Sequence, residues 1–162
     1  MKHTISVIVE NKPGVLSRVA NLFARRGFNI ESLAVGTTEK PTISRMTIVV
    51  EGDEKVLEQI IKQLYKLIDT FKVYDLPHDK AVERELVLIK VQASEKERHE
   101  ITQIVDIFRG KIVDVAENSL TVEITGDESK IAGAEKLFSR FGIRELVRTG
   151  KIALQRGSAE SN

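Results

Sequence analysis

The chain contains no cysteine and no tryptophan among its 162 residues, and it has only three prolines. Without cysteine, disulfides, thiol nucleophiles and cysteine metal sites are excluded. No apolar run approaches the roughly 18 residues that are needed to span a membrane, and the first residues do not resemble a signal peptide. We therefore expect a cytoplasmic protein that does not bind a membrane.

The chain also has no strong net charge, because it contains 25 lysines and arginines and 24 aspartates and glutamates. This balance argues against broad binding to nucleic acids. Four motifs of common active sites are absent: G-x-G-x-x-G, the P-loop, G-x-S-x-G and H-E-x-x-H. The three histidines, His3, His78 and His99, are scattered along the chain and favour no metal site. The sequence thus predicts no catalytic residues, no metal and no cofactor of its own.

The first predicted elements are a strand, a tight turn and an amphipathic helix across residues 5–28. Apolar residues alternate in the first part of this stretch and then recur at helical spacing, up to a glycine stop. A second strand follows, with a bulge expected between Ile30 and Leu33. A third strand, a helix over residues 54–68 capped by Asp53, and a fourth strand complete the order βαββαβ.

The same order of elements begins again after residues 77–85, a polar stretch that predicts a linker. Ser94 and Glu97 form a capping box for the next helix, and Gly110 is expected to end that helix. A hairpin and another helix follow, and a last strand is expected over residues 143–154.

We therefore predict an α+β fold with two ferredoxin-like βαββαβ domains. Each has a four-stranded antiparallel sheet and two helices on one face. The other face of each sheet needs a cover, for which a second copy of the chain or another protein is suited. The expected domains are residues 1–76 and residues 86–157, with a tail at residues 158–162.

The turn before the first helix, Asn11-Lys12-Pro13-Gly14, is the best candidate for a binding site. Pro13 suits the first helical position, which makes Asn11 or Lys12 the expected N-cap. Gly14 has no side chain, so another molecule can approach the backbone there. The first N–H groups of a helix have no partner within it and bind small anions. The turn therefore suits the carboxylate of a free amino acid, although a plain helix cap explains the same residues equally well.

Three stretches of the first domain resemble an ACT domain, a small amino-acid-sensing module: Asn11-Lys12-Pro13-Gly14-Val15-Leu16, the helix from Ser17 to Arg26, and Gly27-Phe28-Asn29-Ile30. Further stretches are similar to the regulatory small subunits of acetolactate synthase, also called acetohydroxyacid synthase. They are residues 29–33, 44–48 and 52–64 in the first domain, and residues 84–91 and 108–115 in the second.

This resemblance implies a non-catalytic protein that activates a separate catalytic large subunit and confers feedback inhibition by valine. The pathway is the biosynthesis of valine, leucine and isoleucine. The large subunit is expected to use thiamine diphosphate, Mg²⁺ and FAD to join two 2-oxo acids. The effector is expected between the ACT domains of a homodimer. The residues that it implies are Asn11, Gly14, Val15, Leu16 and Ser17 from the helix-start turn of one chain, and Asn29 and Ile30 from the second strand of the other.

Each group in this implied site has an expected role. The backbone N–H groups of Gly14, Val15 and Leu16 are expected to bind the effector carboxylate. The side chains of Asn11 and Asn29 are expected to hold the α-amino end and to bridge the two chains. Leu16 and Ile30 would provide an apolar wall for the isopropyl group. One methylene is worth about 1–3 kcal/mol, so leucine or isoleucine is expected to bind more weakly rather than not at all.

Three other functions compete with this interpretation. An ACT-type amino-acid sensor could serve a different enzyme or a transcriptional response, but the two-domain layout and the motifs of the second domain count against it. A small enzyme on a ferredoxin-like fold would need a nucleophilic or charged cluster that the sequence does not contain. A metal-sensing regulator would need more ligands than three scattered histidines.

Overall fold

The computed structural model describes residues 1–157, and the predicted tail at residues 158–162 lies outside the described residues. The elements in chain order are β1 Lys2–Glu10, α1 Val15–Arg25, β2 Ile30–Thr37, β3 Ile43–Glu51, α2 Glu54–Tyr65, β4 Thr70–Asp75, a short 3₁₀ turn His78–Lys80, β5 Ala81–Gln92, α3 Arg98–Ile107, β6 Lys111–Val115, β7 Ser119–Gly126, α4 Glu128–Phe138, β8 Ile143–Arg148 and β9 Ile152–Gln155.

The chain forms two compact units. Within the described residues, the first contains Met1–Glu83 together with residues 151–157, and the second contains Arg84–Gly150. The first sheet has the order β2-β3-β1-β4, and the second has the order β6-β7-β5-β8. All pairings along these two paths are antiparallel. The predicted α+β fold with two ferredoxin-like units is confirmed.

The core of the first unit follows from the alternation in its strands. Ile5, Val7 and Val9 lie on one face of β1 and are almost completely buried. Their neighbours in β3, among them Met46 and Ile48, point the same way because β1 and β3 pair in register. This face packs against α1 and α2, whose buried residues recur at helical spacing: Val15, Val19 and Phe23 in α1, and Leu57, Ile60 and Leu64 in α2.

Two details of the first unit agree with the sequence and one does not. The register of β2 against β3 shifts between Ile30 and Ser32, which confirms the bulge. Asp53 caps α2 by accepting a hydrogen bond from Val56 N at 2.9 Å, as expected. The helix ends at Tyr65 rather than at residue 68, because its last turn tightens through 3₁₀-type bonds.

The second face of the first sheet mixes polar residues, such as Ser6 and Thr47, with apolar ones, such as Val49. Ser6, which is fully buried, accepts a hydrogen bond from Arg45 Nη1 at 2.7 Å. The C-terminal strand β9 covers part of this face. Lys151 N donates to Ser32 Oγ at 3.2 Å, and Ala153 lies in a small buried cluster with Leu76. The first unit thus uses its own C-terminal segment as a partial cover, a role that we had expected a second molecule to fill.

This arrangement changes the boundaries between the expected parts of the chain. Residues 151–157, which the sequence placed in the second domain, belong to the first unit, because β9 pairs with β5 and Arg156 N donates to Lys80 O at 2.8 Å. Residues 77–85, expected as a linker, form the 3₁₀ turn and the first part of β5.

The second unit repeats the architecture with a core of its own. The expected contact between Ser94 and Glu97 is present, since Glu97 Oε1 accepts hydrogen bonds from Ser94 Oγ at 2.7 Å and from Ser94 N at 3.4 Å, although α3 begins only at Arg98. Two further details differ from the sequence prediction. Arg109 rather than Gly110 adopts the left-handed conformation after α3, with φ 53°. The expected last strand is interrupted after Arg148, because Gly150 turns the chain with φ 85°. None of the helices within residues 1–157 is long and apolar enough to cross a membrane.

Candidate functional site

The turn between β1 and α1 differs from the sequence prediction in its cap. Gly14 is the N-cap of α1, with φ 87° and ψ −14°, and Pro13 precedes the cap instead of starting the helix. This left-handed conformation suits glycine because it carries no Cβ. Asn11 does not cap the helix but forms hydrogen bonds with the loop before β3. Its backbone N donates to Thr42 O at 2.8 Å, and its Nδ2 donates to Pro41 O at 2.9 Å. The expectation that Asn11 or Lys12 caps the helix was therefore wrong.

The first turn of α1 leaves its main-chain donors open. Arg18 N donates to Gly14 O at 3.0 Å, which is the first hydrogen bond of the helix. Within residues 1–157, the N–H groups of Gly14, Val15, Leu16 and Ser17 make no hydrogen bond, and no side chain caps the helix. Open N–H groups at a helix start carry partial positive charge and attract an anion. The geometry therefore agrees with a carboxylate site at this turn.

Four charged side chains surround the turn. Asp69, whose side chain is 3% exposed, accepts hydrogen bonds from Arg18 Nε at 2.8 Å and contacts Arg18 Nη2 at 2.7 Å. Lys12 Nζ lies 3.0 Å from Asp69 Oδ1 and 2.9 Å from Glu10 Oε2. Arg18 also lies over Gly14, since its Nη1 is 3.0 Å from the position of an added Cβ. We call Glu10, Lys12, Arg18 and Asp69 the Asp69 cluster.

The Asp69 cluster shifts the protonation of its own members. The hydrogen bond from Lys12, together with the interactions with Arg18, lowers the pKa of Asp69 below its ordinary value. Burial acts against this shift, and the cationic partners outweigh it. The hydrogen bonds to Glu10 and Asp69 raise the pKa of Lys12. Both shifts favour the charged forms of Asp69 and Lys12. In formal charge, the two basic and two acidic side chains of the Asp69 cluster balance each other.

Replacing Asp69 by Asn should lower the melting temperature of the protein at pH 7. The folded state lowers the pKa of this carboxyl below its unfolded value of about 3.9, so its contribution is complete above that pH. The contribution is lost as the pH falls through the folded value, and the difference between wild type and variant should shrink there. Thermal unfolding followed by circular dichroism at pH 7 and at pH ~3 measures both effects.

Glu145→Gln is the matched control for this prediction. Glu145 also has a lowered pKa, caused by the hydrogen bond from Lys90, but its side chain is 73% exposed. Exposed ion pairs contribute little to stability because water screens them. We expect no clear change in melting temperature for this control. Equal melting temperatures for Asp69→Asn and wild type at pH 7 would contradict the stabilising role of the Asp69 cluster.

The other half of the predicted site lies at the opposite end of α1. Asn29 is exposed, and neither its side chain nor its backbone is engaged in the described hydrogen bonds. Ile30 begins β2 and is half-buried against the core. Because α1 has eleven residues, about 16 Å of helix separates these residues from Gly14. One chain does not bring the two halves together, so a shared site would require two chains.

The position of β2 in the sheet allows a second chain to approach. It is an edge strand that pairs only with β3 in the described structure, and so its outer edge is open. Open edges present unpaired N–H and C=O groups that another strand can bind. Val35 in this strand is 46% exposed. The sheet order therefore leaves room for pairing between two copies next to Asn29.

Sequence reasoning missed the Asp69 cluster. Arg18 could have been found, because it lies one helical turn after Gly14 and on the same side of the helix. Asp69 could not, because it is 51 residues away from Arg18 and follows a helix whose end was misplaced. Among residues 1–157, no group of three histidine, aspartate or glutamate side chains is placed to hold a metal ion.

Comparison with known proteins defines the class to which these features belong. Residues 5–72 match the family model described as "AHAS small subunit-like ACT domain". The first unit is therefore an ACT domain, a class consistent with its βαββαβ order and with the open helix start that its first turn presents. Residues 84–157 match a second model, described as "Small subunit of acetolactate synthase".

Whole-chain relatives agree with both matches. The chain is 60% identical over 158 residues to the "Probable acetolactate synthase small subunit" of Archaeoglobus fulgidus, covering 98% of this chain and 99% of the relative. It is 54% identical to the acetolactate synthase small subunit of Mycobacterium leprae, covering 96% and 92%. The crystal structure of the Thermotoga maritima small subunit matches with a TM-score of 0.89 at 47% identity, covering 96% and 98%. The chain belongs to the family of acetolactate synthase small (regulatory) subunits.

Proposed function

We propose that this chain activates the catalytic large subunit of acetolactate synthase and makes that subunit sensitive to valine. Membership of the small-subunit family supports the choice of partner. The open N–H groups in the first turn of α1 are the observation that carries the effector site. The chemistry that joins two 2-oxo acids, with its thiamine diphosphate, Mg²⁺ and FAD, is assigned in this proposal to the large subunit.

The proposed effector carboxylate binds at the start of α1. The N–H groups of Val15, Leu16 and Ser17 lie beyond the left-handed Gly14 and have no partner in the described structure. Hydrogen bonds from N–H groups to a charged acceptor contribute about 1.5–3 kcal/mol each. Because the Asp69 cluster is neutral in total, these donors supply the attraction, and no excess of cationic side chains is needed.

The α-amino group of the effector needs acceptors. The Nδ2 of Asn11 is occupied by Pro41 O, but its Oδ1 accepts no hydrogen bond within the described residues. That oxygen is available to an ammonium group. In the proposed dimer, Asn29 of the second chain adds a further amide oxygen next to it. The two asparagines would then connect the effector to both chains.

The apolar side chain of the effector needs a wall of modest size. Leu16 is 45% exposed, although it lies in the first turn of an amphipathic helix. Ile30 of the partner is half-buried in its own chain and keeps part of its surface for contact. A wall of this kind distinguishes side chains that differ by one methylene by about 10- to 200-fold. We therefore propose valine as the preferred effector over leucine and isoleucine.

Regulation follows from the position of the site between two chains. An effector shifts an equilibrium only if it binds one arrangement better than another. A site that is complete only when two ACT domains are docked meets this requirement, because valine stabilises the docked arrangement. The large subunit would then respond to the arrangement of the small-subunit dimer.

The test is to mix the purified chain with the catalytic large subunit and to measure acetolactate formation with and without valine. We expect the chain to raise the rate, and valine to reverse that increase. The large subunit alone serves as the control and should not respond to valine. An unchanged rate after addition of the chain would exclude activation, and a rate that valine leaves unaffected would exclude the proposed effector.

A further inference from the structure

The two helices of the first unit border a groove of about 680 Å³ that the proposed effector site does not use. From α1 it is lined by Arg18, Leu22 and Arg25, which follow one another at spacings of four and three residues. From α2 it is lined by Gln59 and Gln63, with Lys66 just beyond the helix end. Both stripes have the spacing of a single helix face, so the groove follows the length of the helices.

The charges in the groove are of one sign. Arg25, Arg26 and Lys66 line it, whereas no aspartate or glutamate does. Within residues 1–157, none of these three cations takes part in an ion pair or a hydrogen bond through its side chain. Arg18 is the exception, because Asp69 holds its guanidinium. Three unpaired cations therefore face a shared surface in a chain whose formal net charge is only +1.

The rest of the groove suits a polypeptide ligand. Leu22, Phe28 and Leu67, which are half-buried, line it together with the carboxamides of Gln59 and Gln63. The apolar residues can contact apolar side chains of a ligand, and carboxamides can both donate and accept hydrogen bonds with a main chain or side chains. The length of α1, about 16 Å, corresponds to roughly three turns of a bound helix.

Helix ends alone do not explain this concentration of charge. Arg25 and Arg26 close α1 and Lys66 closes α2, and cations at a helix C-terminus stabilise the helix dipole. That effect accounts for each cation singly. It does not account for the absence of any carboxylate from the lining, nor for the half-buried apolar residues that line the groove beside the cations.

We propose that this groove binds an acidic segment of the catalytic large subunit. The inference rests on the proposed function for the identity of the partner, and on charge complementarity for the surface. Unpaired cations on one partner steer an acidic partner toward the surface and make association depend on salt. The groove lies on the helices, whereas the open edge of β2 belongs to the sheet, so docking here leaves the β2 edge free.

The experiment compares two double variants that remove the same charge. Arg25→Gln/Arg26→Gln removes two of the three unpaired cations of the groove, whereas Lys55→Gln/Lys62→Gln removes the charges of two exposed lysines of α2 that do not line it. Association with the immobilised large subunit is measured at several salt concentrations. We expect the groove variant to bind at least about tenfold more weakly at low salt, with a shallower salt dependence. The α2 control should stay within about twofold of wild type.

Four outcomes would overturn the proposal. Equal losses in both double variants would mean that total charge matters and the groove does not. Unchanged binding of the groove variant would mean that the groove does not bind the large subunit. Loss of the homodimer of the groove variant, measured by ultracentrifugation, would mean that the groove binds a second copy of the chain. If wild type itself does not bind the large subunit, the proposed function fails together with this inference. Unchanged valine affinity and melting temperature of the groove variant would show that its fold and effector site are intact.

Discussion

Replacing Gly14 by Asp will abolish valine binding, with a loss of affinity of more than about 100-fold. Gly14 has φ 87°, which an L-residue rarely adopts, and it precedes three open N–H groups. An aspartate at an N-cap places its own carboxylate at the helix start, where it can accept a hydrogen bond from the N–H of Leu16 or Ser17. The variant would therefore fill the site from within and would repel a second carboxylate. Losing two bonds to a charged acceptor corresponds to about 3–6 kcal/mol.

Titration calorimetry with valine measures this loss, and Gly14→Ala separates its two causes. Alanine at this position adds the strain of the left-handed conformation and a Cβ that lies 3.0 Å from Arg18 Nη1, but it adds no charge. We expect Gly14→Ala to bind valine with an affinity between those of wild type and Gly14→Asp. Activation of the large subunit should persist in Gly14→Asp, since the unpaired cations of the groove, Arg25, Arg26 and Lys66, are not changed. Wild-type valine affinity in Gly14→Asp would refute the placement of the carboxylate.

Two variants that each fail alone will restore one valine site when they are combined in a mixed dimer. In the proposed dimer, each of the two sites takes the turn of one chain and the Asn29 strand of the other. A dimer of one Gly14→Asp chain and one Asn29→Ala chain therefore has one site with both halves intact. Its other site carries both substitutions. The two homodimers contain no intact site.

Mixed dimers can be isolated with a different affinity tag on each chain, and calorimetry then gives their valine stoichiometry. We expect half of the wild-type stoichiometry, at near wild-type affinity. The control is a mixed dimer of Gly14→Asp and Leu16→Ala chains, whose substitutions lie in the same turn. Each of its two sites then contains a substituted turn, so this combination should restore no valine binding. Absence of recovery in the first mixture, with both chains present in one dimer, would mean that the effector site is not shared between chains.

The sheets and their cores could be predicted from the sequence because the alternation of apolar residues along a strand indicates which face of the strand is buried. The alternation in β1 and the slip between Ile30 and Leu33 both appear in the structure, the latter as the bulge of β2. Element ends were less reliable. The end of α2 depends on tight turns in the backbone, and the left-handed residue after α3 is Arg109 where a glycine was expected. These choices depend on local hydrogen bonds that a pattern of apolar residues does not encode.

The local structure of the candidate turn was predicted only in part. The turn at Gly14 was found because proline, glycine and a following amphipathic pattern are adjacent in sequence. The cap was misassigned because Asn11 bonds to Thr42 and Pro41, which are some 30 residues away. The Asp69 cluster was not foreseen for the same reason, since sequence adjacency cannot reveal a partner on another element. The effector-binding roles of these residues remain predictions that the experiments above address.

The strand β9 has a consequence for the order in which the protein can mature. Ribosomes synthesise a chain from its N-terminus to its C-terminus, and N-terminal domains generally fold before later domains have been made. Here the unit that contains Met1–Glu83 also needs Lys151 and Ala153, which are synthesised only after the whole second unit. Until the second unit has been made, Ser32 lacks its donor and the small cluster around Leu76 lacks Ala153. The unit whose strands are synthesised first is thus completed only after the other unit has been synthesised.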